Sequence, residues 1–211
     1  ERQPGSGALT AEVEGGSGVI DAVSADDVEI LCTLDDTVLF TDSGVVLKPC
    51  EEGDALFFDC NNDGNTDLLI TGDMGSLGAS AMLYKNSGGL EFADGTSEGL
   101  QGLKKCAAAA ADIDGDGDTD LALTGAGDSS GRYSFIYENN GSGLFTDTAA
   151  GLTAMEQGVV AFGDIDNDGD EDLFLSGTTD GSPSAGSVEV YTNNGSGGFS
   201  DSGNTFSAAI S

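Results

Sequence analysis

Apolar residues in this chain come in short runs separated by Gly, Asn and Asp, and from about residue 50 onward the runs recur in a fixed order. Each cycle starts with an apolar or small-residue run, at Ala55 to Phe58, Ala107 to Ala111 and Val159 to Phe162. An acid-rich stretch follows, then Leu68-Leu69-Ile70, Leu121-Ala122-Leu123 or Leu173-Phe174-Leu175. Runs this short and bounded by Gly predict strands rather than helices. The alanine run has helix propensity in isolation. Its counterparts hold Phe57, Phe58, Val159 and Val160, so it reads as a crowded inner strand. A third strand ends at Tyr84, Tyr137 or Tyr191, and a fourth lies at Phe92-Ala93-Asp94, Phe145-Thr146-Asp147 or Phe199-Ser200-Asp201. Between them sit Asn86-Ser87-Gly88, Asn139-Asn140-Gly141-Ser142 and Asn193-Asn194-Gly195-Ser196, the residues of tight β-hairpins.

Four antiparallel strands per roughly 50 residues make the blade of a β-propeller. The expected fold is therefore all-β, a propeller-type repeat of about four four-stranded blades. Its divisions are a degenerate first blade at 1–42 without an acidic loop, blades at 43–94, 95–147 and 148–201, and a leftover inner strand at 202–211. In the first division Val19 to Val23, Val28 to Cys32 and Thr37 to Phe40 read as second, third and fourth strands, and Ala8 to Val13 offers an inner one. Ser207 to Ile210 stand where a further inner strand is due. An unpaired strand edge invites pairing. That last strand either closes a ring within its own chain or completes the first blade of a neighbour, a head-to-tail contact that grows into a fibre.

The acid-rich stretches carry the chemistry. They begin at Asp59, Asp112 and Asp164, 53 and 52 positions apart, in step with the hairpins. Each places oxygen-bearing side chains at positions 1, 3, 5 and 9 and a Gly (Gly64, Gly117, Gly169) at position 6, which turns the backbone so that the carbonyl of position 7 faces inward. Six to eight hard oxygen donors suit calcium, whereas magnesium keeps its waters and a strict octahedron. Position 12 is Ile70, Leu123 or Leu175, so the EF-hand loop, with its acidic twelfth residue, is excluded.

This Asp-x-Asp-x-Asp-Gly-x-x-Asp loop followed by an apolar strand resembles the FG-GAP repeats of integrin alpha propellers and the related bacterial VCBS repeats, over about Val45 to Asp201. The resemblance implies that each loop joins the first two strands of a blade and binds a calcium ion that stiffens the propeller rim. It implies three Ca²⁺ sites: Asp59, Asn61, Asp63 and Asp67; Asp112, Asp114, Asp116 and Asp120; and Asp164, Asp166, Asp168 and Asp172. Asn65, Asp118 and Asp170 would add backbone carbonyls. Propellers of this family usually have more blades than this chain can build.

Composition narrows the function. The 211 residues carry 38 Asp plus Glu against six Lys plus Arg, a formal charge of −32, and no His. Without His there is no Ser-His-Asp or Cys-His nucleophile pair, and the conspicuous carboxylates are assigned to calcium, so the expectation is a protein that is not an enzyme. So few cations exclude nucleic acid and anionic lipid as partners. No apolar run reaches the roughly 20 residues of a membrane span, so no membrane insertion is expected. The four cysteines lack Cys-x-x-Cys spacing and read as two disulfides, Cys32–Cys60 and Cys50–Cys106 on strand direction, or as buried free thiols. Disulfides would favour an extracellular, secreted or cell-surface location. Asn140 and Asn194 match the N-glycosylation sequon at hairpin tips, where they also serve as turn residues. The expected function is a secreted, calcium-stabilised structural or adhesive module that self-associates through its terminal strands. The alternative is a discrete monomeric lectin or ligand-binding propeller whose partners are glycans or cell-surface proteins.

Overall fold

The computed structural model describes strands at 9–12, 29–32 and 37–41 and then residues 44–203 apart from 90, 94, 130 and 183–185. The chain divides into two compact units, Glu1–Pro49 and Cys50–Ser211.

In the first unit β1 (Leu9–Glu12), β2 (Glu29–Cys32) and β3 (Thr37–Thr41) form one antiparallel sheet in the order β1-β3-β2. Leu9 to Glu12 pairs with Thr37–Thr41, the strand expected to be fourth. The second strand expected at Val19 to Val23 and the terminal strand at Ser207 to Ile210 lie outside the described residues.

The second unit contains three antiparallel sheets of consecutive strands. The first joins β4 (Glu51–Phe58), β5 (Asp67–Asp73) and β6 (Ala79–Tyr84). The second joins β7 (Lys104–Ala111), β8 (Asp120–Ala126), β9 (Arg132–Asn139) and β10 (Phe145–Asp147). The third joins β11 (Glu156–Gly163), β12 (Asp172–Thr178), β13 (Gly186–Thr192) and β14 (Ser200–Asp201). The alanine run is a strand, as its counterparts predict, because its place in the sheet outweighs local propensity. Among the described residues the first sheet has no regular fourth strand. Relative to the second sheet it has one more residue between Phe92 and Thr96, so pairing is reduced to bridges at Asn86–Phe92 and Leu83–Thr96.

Side chains alternate across each sheet, as a period of two requires. Leu69 and Leu83 from one side meet Leu121, Leu123 and Tyr137 from the next sheet, with Phe58 edge-on to Phe145. Ala122 and Ile136 on the opposite face meet Leu173, Leu175 and Tyr191. The sheets therefore stack face to face, and their first strands β4, β7 and β11 lie side by side. Buried Thr71 and Thr124 donate their hydroxyls to the carbonyls of Leu103 and Met155, at 3.1 and 2.9 Å, in the segment that enters the next sheet. Tyr137 and Tyr191 accept the backbone N–H of Gln101 and Thr153 in those same segments.

Each first strand carries a bulge near its start, and each bulge holds a non-glycine residue in left-handed conformation: Glu52 (φ 50°), Lys105 (φ 48°) and Gln157 (φ 56°). The opposed glycines Gly72 and Gly125 are required by close approach. A Cβ there would come within 2.9 Å of the Glu51 carbonyl and within 2.8 Å of that of Lys104.

Candidate metal centre

The three acidic loops connect β4 to β5, β7 to β8 and β11 to β12, so each leaves the first strand of its sheet and re-enters at the second. Their backbones share one conformation. Position 6 is left-handed in all three, at Gly64 (φ 83°), Gly117 (φ 91°) and Gly169 (φ 100°). Position 4 is also left-handed, at Asn62 (φ 58°), Gly115 (φ 78°) and Asn167 (φ 62°). Only Gly and Asn occupy it, which are the residues that enter this region most readily.

Bent in this way, each loop wraps its N–H groups around its own carboxylates. The first residue accepts the N–H of position 6: Asp59 from Gly64 at 2.8 Å, Asp112 from Gly117 at 3.0 Å, and Asp164 from Gly169 at 3.2 Å. Position 3 accepts from position 5, at Asn61, Asp114 and Asp166. Position 5 accepts from position 7, at Asp63, Asp116 and Asp168. The acceptor atoms are thereby turned toward one another. One oxygen each of Asp112, Asp114 and Asp116 lie within 4.8 Å of each other, and so do those of Asp164, Asp166 and Asp172. Both clusters are able to hold a metal ion, and the donor set is oxygen alone, which fits a hard cation. The first loop differs, because Asn61 and Asn65 replace acids and Asn61 donates its amide to Asp63 at 3.2 Å.

Position 9 anchors the loop. Asp67, Asp120 and Asp172 are buried, and each grips two N–H groups. One oxygen accepts from position 2 (Cys60, Ile113, Ile165) and the other from the residue that follows the third strand or ends it (Asn86, Asn139, Asn193). Burial pushes the Asp120 carboxyl up to about 6, since its two N–H donors only partly offset the loss of water. Burial also raises Asp114 and Asp166, with neighbouring carboxylates adding to the effect. Asp63 is lowered by the Asn65 N–H.

The side chains of position 7 play a separate part. Asp118 and Asp170 lie against the hairpin glycines Gly141 and Gly195, where a Cβ would come within 2.6 and 2.5 Å of their carboxylates. Asn65 lies similarly against Gly88.

Three residues that read from sequence only as hairpin residues belong to the site. Asn139 donates its side-chain amide to the carbonyls of Thr119 in its own sheet and of Cys60 in the preceding loop, at 3.0 and 2.8 Å. Asn193 does the same to Glu171 and Ile113, at 3.2 and 2.7 Å. Asn86 donates to Thr66 at 3.0 Å. The signal available in the sequence was the recurrence of an Asn at this one place in every cycle. The first and second acidic loops are thus each clamped by the sheet that follows.

The cysteine pairings are not formed. Cys50, Cys60 and Cys106 are free thiols, which removes Cys32–Cys60 and Cys50–Cys106; the Cys32 side chain lies outside the described residues. Cys106 contacts the Thr71 hydroxyl at 3.7 Å, whereas Cys50 sits at Gly72. Thr71 and Gly72 are consecutive in β5 and face opposite sides of the sheet, so the two sulfurs are divided by it. Cys60 takes the buried place that Ile113 holds in the second loop, and burial together with Asp67 keeps its thiol protonated. Burial raises Cys106 to about 11. Asn140 and Asn194 are exposed at hairpin tips, where each accepts the N–H of the serine two residues on, at 3.0 Å.

Stacked antiparallel sheets, each with an acidic loop between its first two strands, define an all-β repeat protein. The family model of the FG-GAP-like repeat matches residues 59–123 and again 112–175, each match running from one acidic loop through the next and into the strand beyond. The chain belongs to the FG-GAP-like repeat family. No curated protein matches it. Among the described residues no helix is long and apolar enough to cross a membrane.

Proposed function

We propose that this protein is a secreted structural or adhesive module whose three acidic loops each bind one Ca²⁺, and that it is not an enzyme. The observation that carries the reading is the threefold recurrence of one loop conformation, with oxygen donors at positions 1, 3, 5 and 9 on the same backbone. The side-chain ligands are Asp59, Asn61, Asp63 and Asp67 in the first loop, Asp112, Asp114, Asp116 and Asp120 in the second, and Asp164, Asp166, Asp168 and Asp172 in the third. Asn65, Asp118 and Asp170 supply backbone carbonyls. Face-to-face stacking with the first strands side by side supports blades at 43–94, 95–147 and 148–201 of a propeller of about four. Extracellular space, where calcium is plentiful, is the fitting location. In this reading the module self-associates end to end, with its terminal segments exchanging strands.

Electron microscopy of the purified protein in millimolar calcium tests the assembly. Filaments with a subunit-sized repeat are expected, and isolated small rings would contradict it. One observation favours a second reading, a lectin-like monomer: a cavity of about 360 Å³ beside the first loop, lined by Asn61, Asp63, Lys85, Asn86, Glu91 and Phe92. That reading predicts saturable glycan binding by the isolated rings.

A further inference from the structure

The two sheet-to-sheet contacts of the second unit follow one rule. The residue at position 2 of the loop is covered by the next sheet: Cys60 is 0% exposed and Ile113 2%. Its carbonyl accepts the side-chain amide of the next sheet's Asn, at 2.8 Å from Asn139 and 2.7 Å from Asn193, and Gly197 adds its N–H to the Ile113 carbonyl at 3.2 Å. In the third loop the same place is open. Ile165 is 51% exposed, and among the described residues no hydrogen bond reaches its carbonyl. Val159, the counterpart of buried Ala107, is 56% exposed on the same outer face.

The first sheet carries the matching half. Asn86 donates its amide to Thr66 in its own sheet, whereas Asn139 and Asn193 each reach a second carbonyl across the contact. Phe57 lies on the face of that sheet turned away from the second, and it is 65% exposed. Its counterpart Phe162 packs into the core between the second and third sheets. Three of the exposed large apolar residues, Phe57, Val159 and Ile165, therefore belong to two halves of one contact that the second unit makes twice, and that no described residue completes here.

We propose that the third sheet is the acceptor half, and the first sheet of a second copy the donor half, of a repeat-to-repeat interface. Asn86 of the incoming copy caps the Ile165 carbonyl, and its Phe57 packs over the face that carries Val159. The contact is head to tail, and each bound copy presents a fresh acceptor, so growth is linear. The inference rests on the end-to-end association proposed above and seats it on these two sheet faces in place of exchanged terminal strands.

The test uses the full chain in millimolar calcium and two variants, Ile165→Glu and Phe57→Glu, followed by sedimentation velocity. Both side chains are exposed, so both variants should fold, and the melting of each in calcium is recorded beside that of the wild type. The wild type should grow with concentration, and each variant alone should stay monomeric. Their equimolar mixture should give a dimer with one chain of each kind and nothing larger, because Ile165→Glu keeps the donor half and Phe57→Glu the acceptor half. Variants that assemble like the wild type would overturn the proposal, as would a mixture that stays monomeric. A wild type that stays monomeric at every concentration in millimolar calcium would also overturn it. Melting of the same samples in chelator reads the calcium sites separately, so failure of the interface and failure of the metal reading are distinguishable.

Discussion

The aspartate at position 9 shows how far a single residue can be both scaffold and liability. Asp120 is 1% exposed and is held by the N–H groups of Ile113 and Asn139. Its raised pKa, about 6 against an ordinary 3.8, means that without a cation the fold prefers it protonated. Between these two values the native state binds more protons than the unfolded state, so unfolding free energy falls as pH rises through that window. Asp114 and Asp166 act in the same direction, and Asp63 opposes them. In chelator the protein should therefore be more stable near pH 4 than near pH 7. Calcium should reverse the order, since a bound cation favours the ionised carboxylates. Urea denaturation at the two pH values, with and without calcium, checks both signs; equal stability in chelator would contradict the account.

Among the elements, the loop and the hairpin that clamps it act together. Replacing Asn139 by Ala removes amide bonds to Cys60 and Thr119 and the acceptor for the Gly143 N–H, and leaves buried groups unpaired. The expected cost is about 2–4 kcal/mol. Asn86→Ala loses one amide bond and the acceptor for Gly88 at a half-buried place, so about 1–2 kcal/mol is expected. Equal losses in urea denaturation would sink the idea that the clamp across sheets matters. Much of this level was legible in the sequence. The Gly at position 6, the Asn-Gly hairpins and the order of apolar runs predicted loops, turns and strands where they stand. The bulges were not legible, because Glu52, Lys105 and Gln157 share no chemistry and their left-handed conformation is imposed by the sheet. The Asn clamp was hidden for a different reason: a hairpin Asn looks the same whether its amide faces water or a carbonyl about 80 residues away in sequence. The pairing of the first sheet through single bridges at Phe92 and Thr96 goes with one extra residue, which a motif at constant spacing from Tyr84 does not reveal.

For the whole molecule, charge is the dominant fact. A formal −32 on 211 residues opposes compaction, and the carboxylates gathered in the loops concentrate that repulsion. Three divalent ions would relieve it where it is densest and leave an acidic surface that keeps the protein soluble. With Cys50, Cys60 and Cys106 free, no disulfide among them shares the task, and in the proposed reading it falls to bound calcium. A site occupied at 1,000 times its Kd adds about 4 kcal/mol. Each kcal/mol moves the Tm of a domain this size by about 2–4 °C. Scanning calorimetry of the full chain in millimolar calcium and then in excess EDTA is the most direct test. The account predicts that the chelator lowers Tm by roughly 20 °C or more, and that added calcium restores it. A Tm that is the same in both conditions would contradict it.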